Sequence, residues 1–552
     1  MNNIRPINRL WQLIVLERSE IISIYFYAIL SGLVQLSVPI GVQSIIGFVL
    51  GATMVTSIYI LIALVVLGVL CVGVLQINQM KIIEKIQQKI FTKYAFQFTE
   101  KIPQLDLKRM DNYYLPEKIN CFFDTLNVQK GLSKLLLDIP AASIQILFGL
   151  LLLSFYHPFF IGFGVLLLMI LWVIIRLTGH KGLETSLEES YHKYSVASWL
   201  EEMARVIKSF KFSQGTHLNL KKTDFNLVKY LKARTAHFKV LLYQYRTLVI
   251  FKVAITTAML TLGTYLLLNQ QLNIGEFIAA EIVILTVLAA IEKLIGSLDS
   301  VYDVITGLEK LATIIEGPDE VSGKINIYTS KGVEVEMIDF SFGYTEETKI
   351  LNGINLSLPA SSITCITGNE GSGKSTLLKI LAGGYSDYSG FLLLNQTQLN
   401  NYSLESLRRT TSLFMNQQEI FSGTIWENIS LGDADITPER ITEVAKELGI
   451  HHFILTLQNG FDTLIDATGK KLSGSAIQKI LLLRALTKKP QLLLMEDAWL
   501  GFEENIRENI IRYIFDLKNT TVIIATNDQY LLSKCDYRIH LNNGFAEVTK
   551  IS

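Results

Sequence analysis

Ser362-Ile363-Thr364-Cys365-Ile366, then Gly368-Asn369-Glu370-Gly371-Ser372-Gly373-Lys374-Ser375-Thr376, then Leu377-Leu378-Lys379-Ile380: the reading of this chain turns on these residues. The first group is an apolar, β-branched run that predicts a strand, and the last predicts a helix. Between them, Gly368, Gly371 and Gly373 permit backbone conformations and a closeness of approach that side chains would block. Successive N–H groups at a helix N-terminus can then cradle anionic oxygens, so the segment reads as a phosphate loop in its strand-loop-helix setting. Lys374 would neutralise β/γ-phosphate charge, and the Ser375 hydroxyl would ligate Mg²⁺.

Outward from this loop, short β-rich runs alternate with helical segments from about Val333 to the end, which predicts an α/β domain over residues 333–552. A polar linker around Glu316-Gly317-Pro318 (residues 311–332) precedes it. The N-terminal half differs in kind. The whole chain is 50% apolar, with a mean hydropathy of +0.35. Residues 21–80 are sixty in a row without Asp, Glu, Lys or Arg, and 139–175 are another thirty-seven. Runs of that length belong in lipid, where about 20 helical residues cross a core of roughly 30 Å. Six spans fit, at about 21–45, 54–78, 137–156, 158–177, 247–268 and 275–297, with turns at Gly51, His157-Pro158 and Asn269–Asn273. The expected class is a six-helix α-helical polytopic membrane domain (residues 21–310) fused to an α/β P-loop domain, with residues 1–20 as an interfacial helix.

Charge in the loops sets orientation. Residues 81–134 carry ten Lys+Arg against six Asp+Glu, and 176–246 carry thirteen against six, while the three short loops have none of the basic residues. Both termini and the two long loops are therefore expected on the cytoplasmic side, with the first run retained as a span. Residues Lys81–Ile90 and Ser195–Phe210 read as helix continuing beyond the spans. Lys252 lies near the cytoplasmic end of the fifth span, where it can snorkel. Glu281 lies in the sixth span near the outer surface, where a carboxylate either lines a polar pathway or bonds a neighbouring helix. With 50 basic and 50 acidic residues, the chain has no charge excess for nucleic acid, and its four cysteines, far apart, form neither a metal nor a disulfide pattern.

Six spans followed by a phosphate-loop domain resemble a half-transporter of the ATP-binding cassette (ABC) exporter family, over nearly the whole chain. Asp339-Phe340-Ser341-Phe342-Gly343-Tyr344 is similar to the family's adenine-stacking segment, which implies Tyr344 as the stacking ring and Phe342 as the alternative. Ile420–Ile429 resembles the segment after the Q-loop, Leu472-Ser473-Gly474 stands in place of the signature, and Pro490–Ala498 in place of Walker B. Thr521–Thr526 corresponds to the strand leading to the switch histidine. The resemblance implies ATP and Mg²⁺ as ligands and a second half-transporter, like or unlike, as partner. The membrane half looks most like peptidase-less relatives of the bacterial type I secretion group, which adds a membrane fusion protein as a candidate partner and a bacterial inner membrane as the setting.

The departures from the family pattern fall where the chemistry would be. Walker B ends Glu496-Asp497 in place of Asp-Glu, so the metal-side carboxylate is one methylene too long and the base one too short. The switch position is read as Thr526, and the signature as Leu472-Ser473-Gly474-Ser475-Ala476 in place of Leu-Ser-Gly-Gly-Gln. Asn416 stands at the Q-loop position with Gln417 next to it; either can serve as the Q-loop nucleotide contact, and Gln417 is the expected metal contact beside Ser375 and Glu496. The D-loop reads Leu500-Gly501-Phe502-Glu503. The expectation is retained ATP binding through residues 368–376, with Ser473 and Gly474 completing a partner's site, and impaired hydrolysis at Glu496, Asp497 and Thr526. A nucleotide-gated regulatory membrane module is the second reading.

Overall fold

The structure is a computed structural model that describes residues 6–551 except 52–55, 111–114, 214–215, 346, 417–418, 467–471 and 498–501. It divides into a unit of residues 1–103 and 113–317 and a second unit of residues 104–112 and 318–552.

The first unit is helical, and among its described residues six segments are long and apolar enough to cross a membrane: Arg18–Leu50, Ser57–Gln104, Asn120–Tyr156, Phe159–Arg205, Leu218–Leu268 and Ile274–Ile315. The chain is a multi-pass membrane protein. The first span is two helices, Arg18–Gln35 and Ser37–Leu50, that break at Leu36. Pro39 explains the break, because it lacks an N–H and its ring crowds the carbonyl one turn earlier. Several helices far outrun a bilayer. Ser57–Lys101 has 45 residues and Leu218–Leu268 has 51, against about 20 needed to cross. Lys81–Ile90 is thus a continuation of the second span, and Ser195–Arg205 of the fourth, which breaks at Val206 and resumes over Ile207–Phe212. The last helix runs to Ile315, past the boundary at 310 expected from composition.

Burial separates the spans. The apolar window of the second is only 6% buried, as suits a lipid-facing helix, and that of the sixth is 50% buried. Close approach of the third and sixth spans depends on small residues: a Cβ at Gly149 would lie 2.5 Å from Val287 Cγ2, and one at Gly131 2.4 Å from Val304 Cγ2. Polar side chains pair across helices, as Gln145 Nε2 does with Gln35 Oε1 (2.9 Å) and Tyr156 OH with Gln43 Oε1 (2.9 Å). Lys252 does not simply snorkel. Its Nζ lies 2.7 Å from Glu292 Oε2, so an acid in the opposing sixth span holds the charge. Before the first span, Pro6–Leu16 is a separate helix with Trp11 exposed and Leu13 buried, tied by Arg9 to Glu309 and Glu316.

The second unit contains two main sheets. Strands β1 (Val335–Phe342), β2 (Leu351–Leu358), β4 (Ser389–Leu394) and β5 (Thr397–Gln398) form one, in the order β2-β1-β4-β5. The other contains β3 (Ile363–Gly368), β6 (Thr411–Phe414), β7 (Leu492–Glu496), β8 (Thr521–Ala525), β9 (Tyr537–Asn542) and β10 (Phe545–Lys550), in the order β10-β9-β3-β8-β7-β6. Within it, β6, β7, β8, β3 and β9 are parallel, with Phe414 opposite Met495, Glu496 opposite Ala525, and Ala525 opposite Ile366. That register brings the C-terminal ends of four strands to one edge, where ligands of open α/β sheets bind. One apolar core, including Phe340, Leu378, Ile380 and Leu394, lies between the two sheets and the phosphate-loop helix. A second, including Leu482, Ile510 and Ile524, lies on the other side of the parallel sheet.

Candidate functional site

The phosphate loop leaves β3 at Gly368 and enters a helix at Lys374 (Lys374–Leu381). Two glycines show why side chains are excluded. A Cβ at Gly368 would lie 2.3 Å from the Leu541 carbonyl oxygen, whereas at Gly371 (φ +77°) it would meet nothing within 4 Å. The first is packed against protein, and the second turns its open side to the space a ligand would take. Lys374 Nζ donates to the carbonyls of Gly368 (2.7 Å) and Asn369 (2.8 Å), so the ammonium already sits over the loop that would hold an anion. Asn369, Glu370 and Ser375 are exposed, while Ser372, Gly373 and Thr376 are buried beneath them.

Beside the loop, Tyr344 is half-buried with its hydroxyl 3.1 Å from Thr376 Oγ1. It stands edge-on to Phe342 and Tyr385, with ring centroids 5.3 and 5.5 Å away. Phe342 is 2% exposed and has no free face, which leaves Tyr344 as the ring of this segment that an adenine can reach. The Lys108 ammonium lies 5.2 Å from the Phe342 centroid and 2.8 Å from Asp387 Oδ2, so Lys108 meets the same aromatic cluster.

The carboxylates emerge one strand away. Glu496 ends β7, and its Oε2 accepts from the Asn416 N–H at 2.9 Å. Asn416 is therefore joined to Walker B through its backbone, with its side chain left exposed, while Gln417 lies outside the described residues. Asp497 Oδ2 accepts from the Asn527 N–H at 3.3 Å, and its Oδ1 is buried without a partner. Burial pushes the Asp497 carboxyl above its ordinary range, while the Thr526 hydroxyl and the Asn527 N–H pull it part of the way back.

Thr526 itself is 2% exposed. Its N–H donates to the Ile366 carbonyl (3.0 Å) and its hydroxyl accepts from the Asp528 N–H (3.0 Å). It therefore closes the strand end, with its hydroxyl shared between the Asp528 N–H and the Asp497 carboxyl. The exposed residue is Asn527, which reasoning from sequence passed over. The available signal was Asp528, which caps the helix Gln529–Lys534 through Tyr530 and Leu531 N–H groups and is gripped by Arg507. A capping Asp fixes where the loop must turn, and so which residue before it faces out.

Ser473 caps the signature helix Gly474–Leu486, its hydroxyl accepting from Ala476 N–H at 3.2 Å. Ser473 and Gly474 are exposed, Ser475 is half-buried and Ala476 is buried. Near the far end of this helix, Arg484 Nε donates to the Asn428 carbonyl (2.7 Å). Asn428 is itself fully buried and bonds Phe421 through both side-chain atoms (3.0 and 2.9 Å). The segment after the Q-loop is thus fastened to the signature helix.

The donor types suit the ligands that the resemblance implies. A nest of N–H groups and an ammonium suit a triphosphate, and the hydroxyl and carboxylate oxygens of Ser375 and Glu496 suit a hard cation such as Mg²⁺. Among the described residues no group of three or more His, Cys, Asp or Glu could hold a metal by itself.

Comparison with known proteins agrees with this geometry. Residues 351–499 match the family described as "ABC transporter". The chain is 33% identical over 251 residues to the ATP-dependent lipid A-core flippase of Saccharophagus degradans, covering 44% of this chain and 43% of the flippase. It is 26% identical over 405 residues to a putative export ATP-binding/permease protein of Rickettsia bellii, covering 71% of this chain and 70% of that one. The structure of a bacterial Atm1-family ABC exporter with ATP bound superposes with a TM-score of 0.87 at 17% identity, covering 97% of this chain and 96% of the other. The chain spans less than half the length of the flippase relative.

The class defined by fold and site is a six-helix membrane domain joined to an ATP-binding domain of the ABC transporter type. Within that class, this chain resembles the exporter half-transporters, and its overall fold is theirs.

Proposed function

We propose that this chain is the ATP-binding half of a dimeric exporter that uses nucleotide binding to switch a twelve-span pathway between inward and outward access, with weak hydrolysis in its own site. The observation that carries this reading is the phosphate loop, with Lys374 poised over carbonyls that an anion would replace as its partners, on the same chain as six apolar spans. Bound Mg²⁺ would screen phosphate charge, held by Ser375, Glu496 and Gln417. Tyr344 supports the base, residues 368–376 hold the phosphates, and Ser473 with the Gly474 N–H faces the partner's nucleotide.

Weak hydrolysis follows from the carboxylates. Glu496 is engaged by the Q-loop backbone, and Asp497 is short, buried and drawn toward the Thr526-Asn527 turn. A misplacement of about 1 Å costs on the order of 100-fold in rate. The exposed Asn527 amide stands where a switch group would reach the terminal phosphate, but it lacks a histidine's charge and proton transfer. A homodimer would repeat these weaknesses in both sites, whereas an unlike half with intact motifs would share them. A membrane fusion protein and a bacterial inner membrane remain the proposed partner and setting. The second reading, a nucleotide-gated module with negligible turnover, is favoured by the same carboxylates.

Turnover separates the two. The purified chain in lipid nanodiscs, alone and with an unlike half encoded beside it, is assayed for phosphate release. Slow release that Asp497→Asn abolishes supports the exporter with Asp497 as base. Release at background level in both preparations, with MgATP bound, overturns it in favour of the gated module.

A further inference from the structure

The fifth and sixth spans run antiparallel, and two of their contacts flank Glu281. A Cβ at Gly263 would lie 2.5 Å from the Phe277 ring, and Lys252 Nζ lies 2.7 Å from Glu292 Oε2. Glu281 falls between these contacts in the sixth-span helix Ile274–Ile315. It precedes Glu292 by eleven residues, close to three helical turns, so the two carboxylates share a face at different depths. Phe277 lies one turn away at i−4, so its ring and the Glu281 side chain are neighbours on the helix surface.

The two carboxylates differ in one respect. Glu292 has a cation, whereas Glu281 Oε2 is shut away from solvent with no hydrogen-bond partner. At this depth the spans supply no second basic residue to Glu281: Lys252 is engaged, and Lys293 lies at the cytoplasmic end beside Glu292. A carboxylate within a span is retained against its desolvation cost only where it meets water, protein or a ligand. On the same side, Leu285 and Ala289 are exposed. Along this helix face the neighbours of Glu281 are thus one aromatic ring and aliphatic groups, with no second oxygen ligand among them, which does not suit a hard metal ion that needs several oxygens. They suit a bulky cation whose charge is spread over apolar substituents, since an aromatic face and a single anion both attract it.

We propose that Glu281 is the counter-ion for a lipophilic organic cation carried by this protein, a quaternary or protonated amine or its equivalent, with Phe277 as an apolar wall. This rests on the exporter reading and specifies its substrate class. The Lys252–Glu292 pair neutralises the inner part of the same face, which leaves Glu281 as the charge that selects.

The test uses two ions of matched shape and opposite charge, tetraphenylphosphonium and tetraphenylborate, in equilibrium dialysis against the full-length chain in nanodiscs. Saturable binding of the cation with no saturable binding of the anion is expected. Glu281→Gln weakens cation binding at least tenfold and Glu281→Asp less, while fluorescent MgATP analogue binding, the check on folding, is unchanged in both. Equal affinity for the two ions, no cation binding, or cation binding indifferent to Glu281→Gln overturns the proposal. Loss of MgATP analogue binding in the unmodified chain would instead overturn the exporter reading, so the two failures are distinct.

Discussion

Restoring the order of the two Walker B carboxylates, with the double substitution Glu496→Asp and Asp497→Glu, should raise ATP turnover. In the present chain the Glu496 carboxylate reaches the Asn416 N–H at 2.9 Å, a contact that a shorter side chain would release, freeing the Q-loop to follow nucleotide. Lengthening residue 497 by one methylene moves its carboxylate outward, away from the Asn527 N–H 3.3 Å from it and toward the space above the phosphate loop. If misplacement by about 1 Å accounts for on the order of 100-fold, the double variant gains between about ten- and 100-fold in kcat, or about 1.4 to 2.7 kcal/mol of barrier. The assay is phosphate release from the nanodisc-reconstituted chain at saturating MgATP, with analogue binding measured in parallel. A rate that stays level or falls while MgATP binding is intact would refute the claim that carboxylate placement limits turnover.

Thr526→Ala and Asn527→Ala should separate cleanly. The first removes a buried hydroxyl that accepts from Asp528 N–H and should lower stability by about 1 to 3 kcal/mol in thermal unfolding. The second should leave the melting temperature within error and reduce turnover, and Asn527→His should raise it; a melting shift in Asn527→Ala would contradict its exposed placement. Asn428→Ala removes the buried side-chain bonds to the Phe421 N–H and carbonyl while the Arg484 bond to the residue-428 backbone carbonyl survives, so a loss of about 2 kcal/mol from the two unpaired Phe421 groups is expected by chemical denaturation. The pH dependence follows from Asp497, whose folded carboxyl is raised above 3.8 by burial. The native state then binds more protons than the unfolded one between 3.8 and that raised value, so this group's contribution to stability falls as pH rises through the window. Asp497→Asn should flatten that fall, and an unchanged profile would remove Asp497 as its source.

Much of the fold is legible because its determinants are local. Uninterrupted apolar runs specify the spans, and the turns at His157-Pro158 and Asn269–Asn273 fall where the helices Asp124–Tyr156, Phe159–Arg205, Leu218–Leu268 and Ile274–Ile315 end or begin. The phosphate loop is legible for the same reason: its glycines, lysine and hydroxyls are consecutive. What the sequence hides is pairing across distance. Lys252 and Glu292 are forty residues apart, and neither reveals the other without the antiparallel seam between their helices. At the end of β8, the outward residue depends on where the strand stops and how Asp528 caps the next helix, a matter of one residue that periodicity cannot settle. Phe342 and Tyr344 look alike as adenine platforms until burial of Phe342 against Tyr385 separates them.

The central claim is that residues 368–376 grip a nucleotide's triphosphate in a protein anchored by six membrane helices. Titration of a fluorescent MgATP analogue into the full-length chain in nanodiscs tests it most directly. The account predicts saturable binding that requires Mg²⁺, is displaced by unlabelled ATP, and is lost in Lys374→Ala with the helical content and melting profile unchanged. No saturable binding to the folded chain, or binding indifferent to Lys374→Ala, would contradict it.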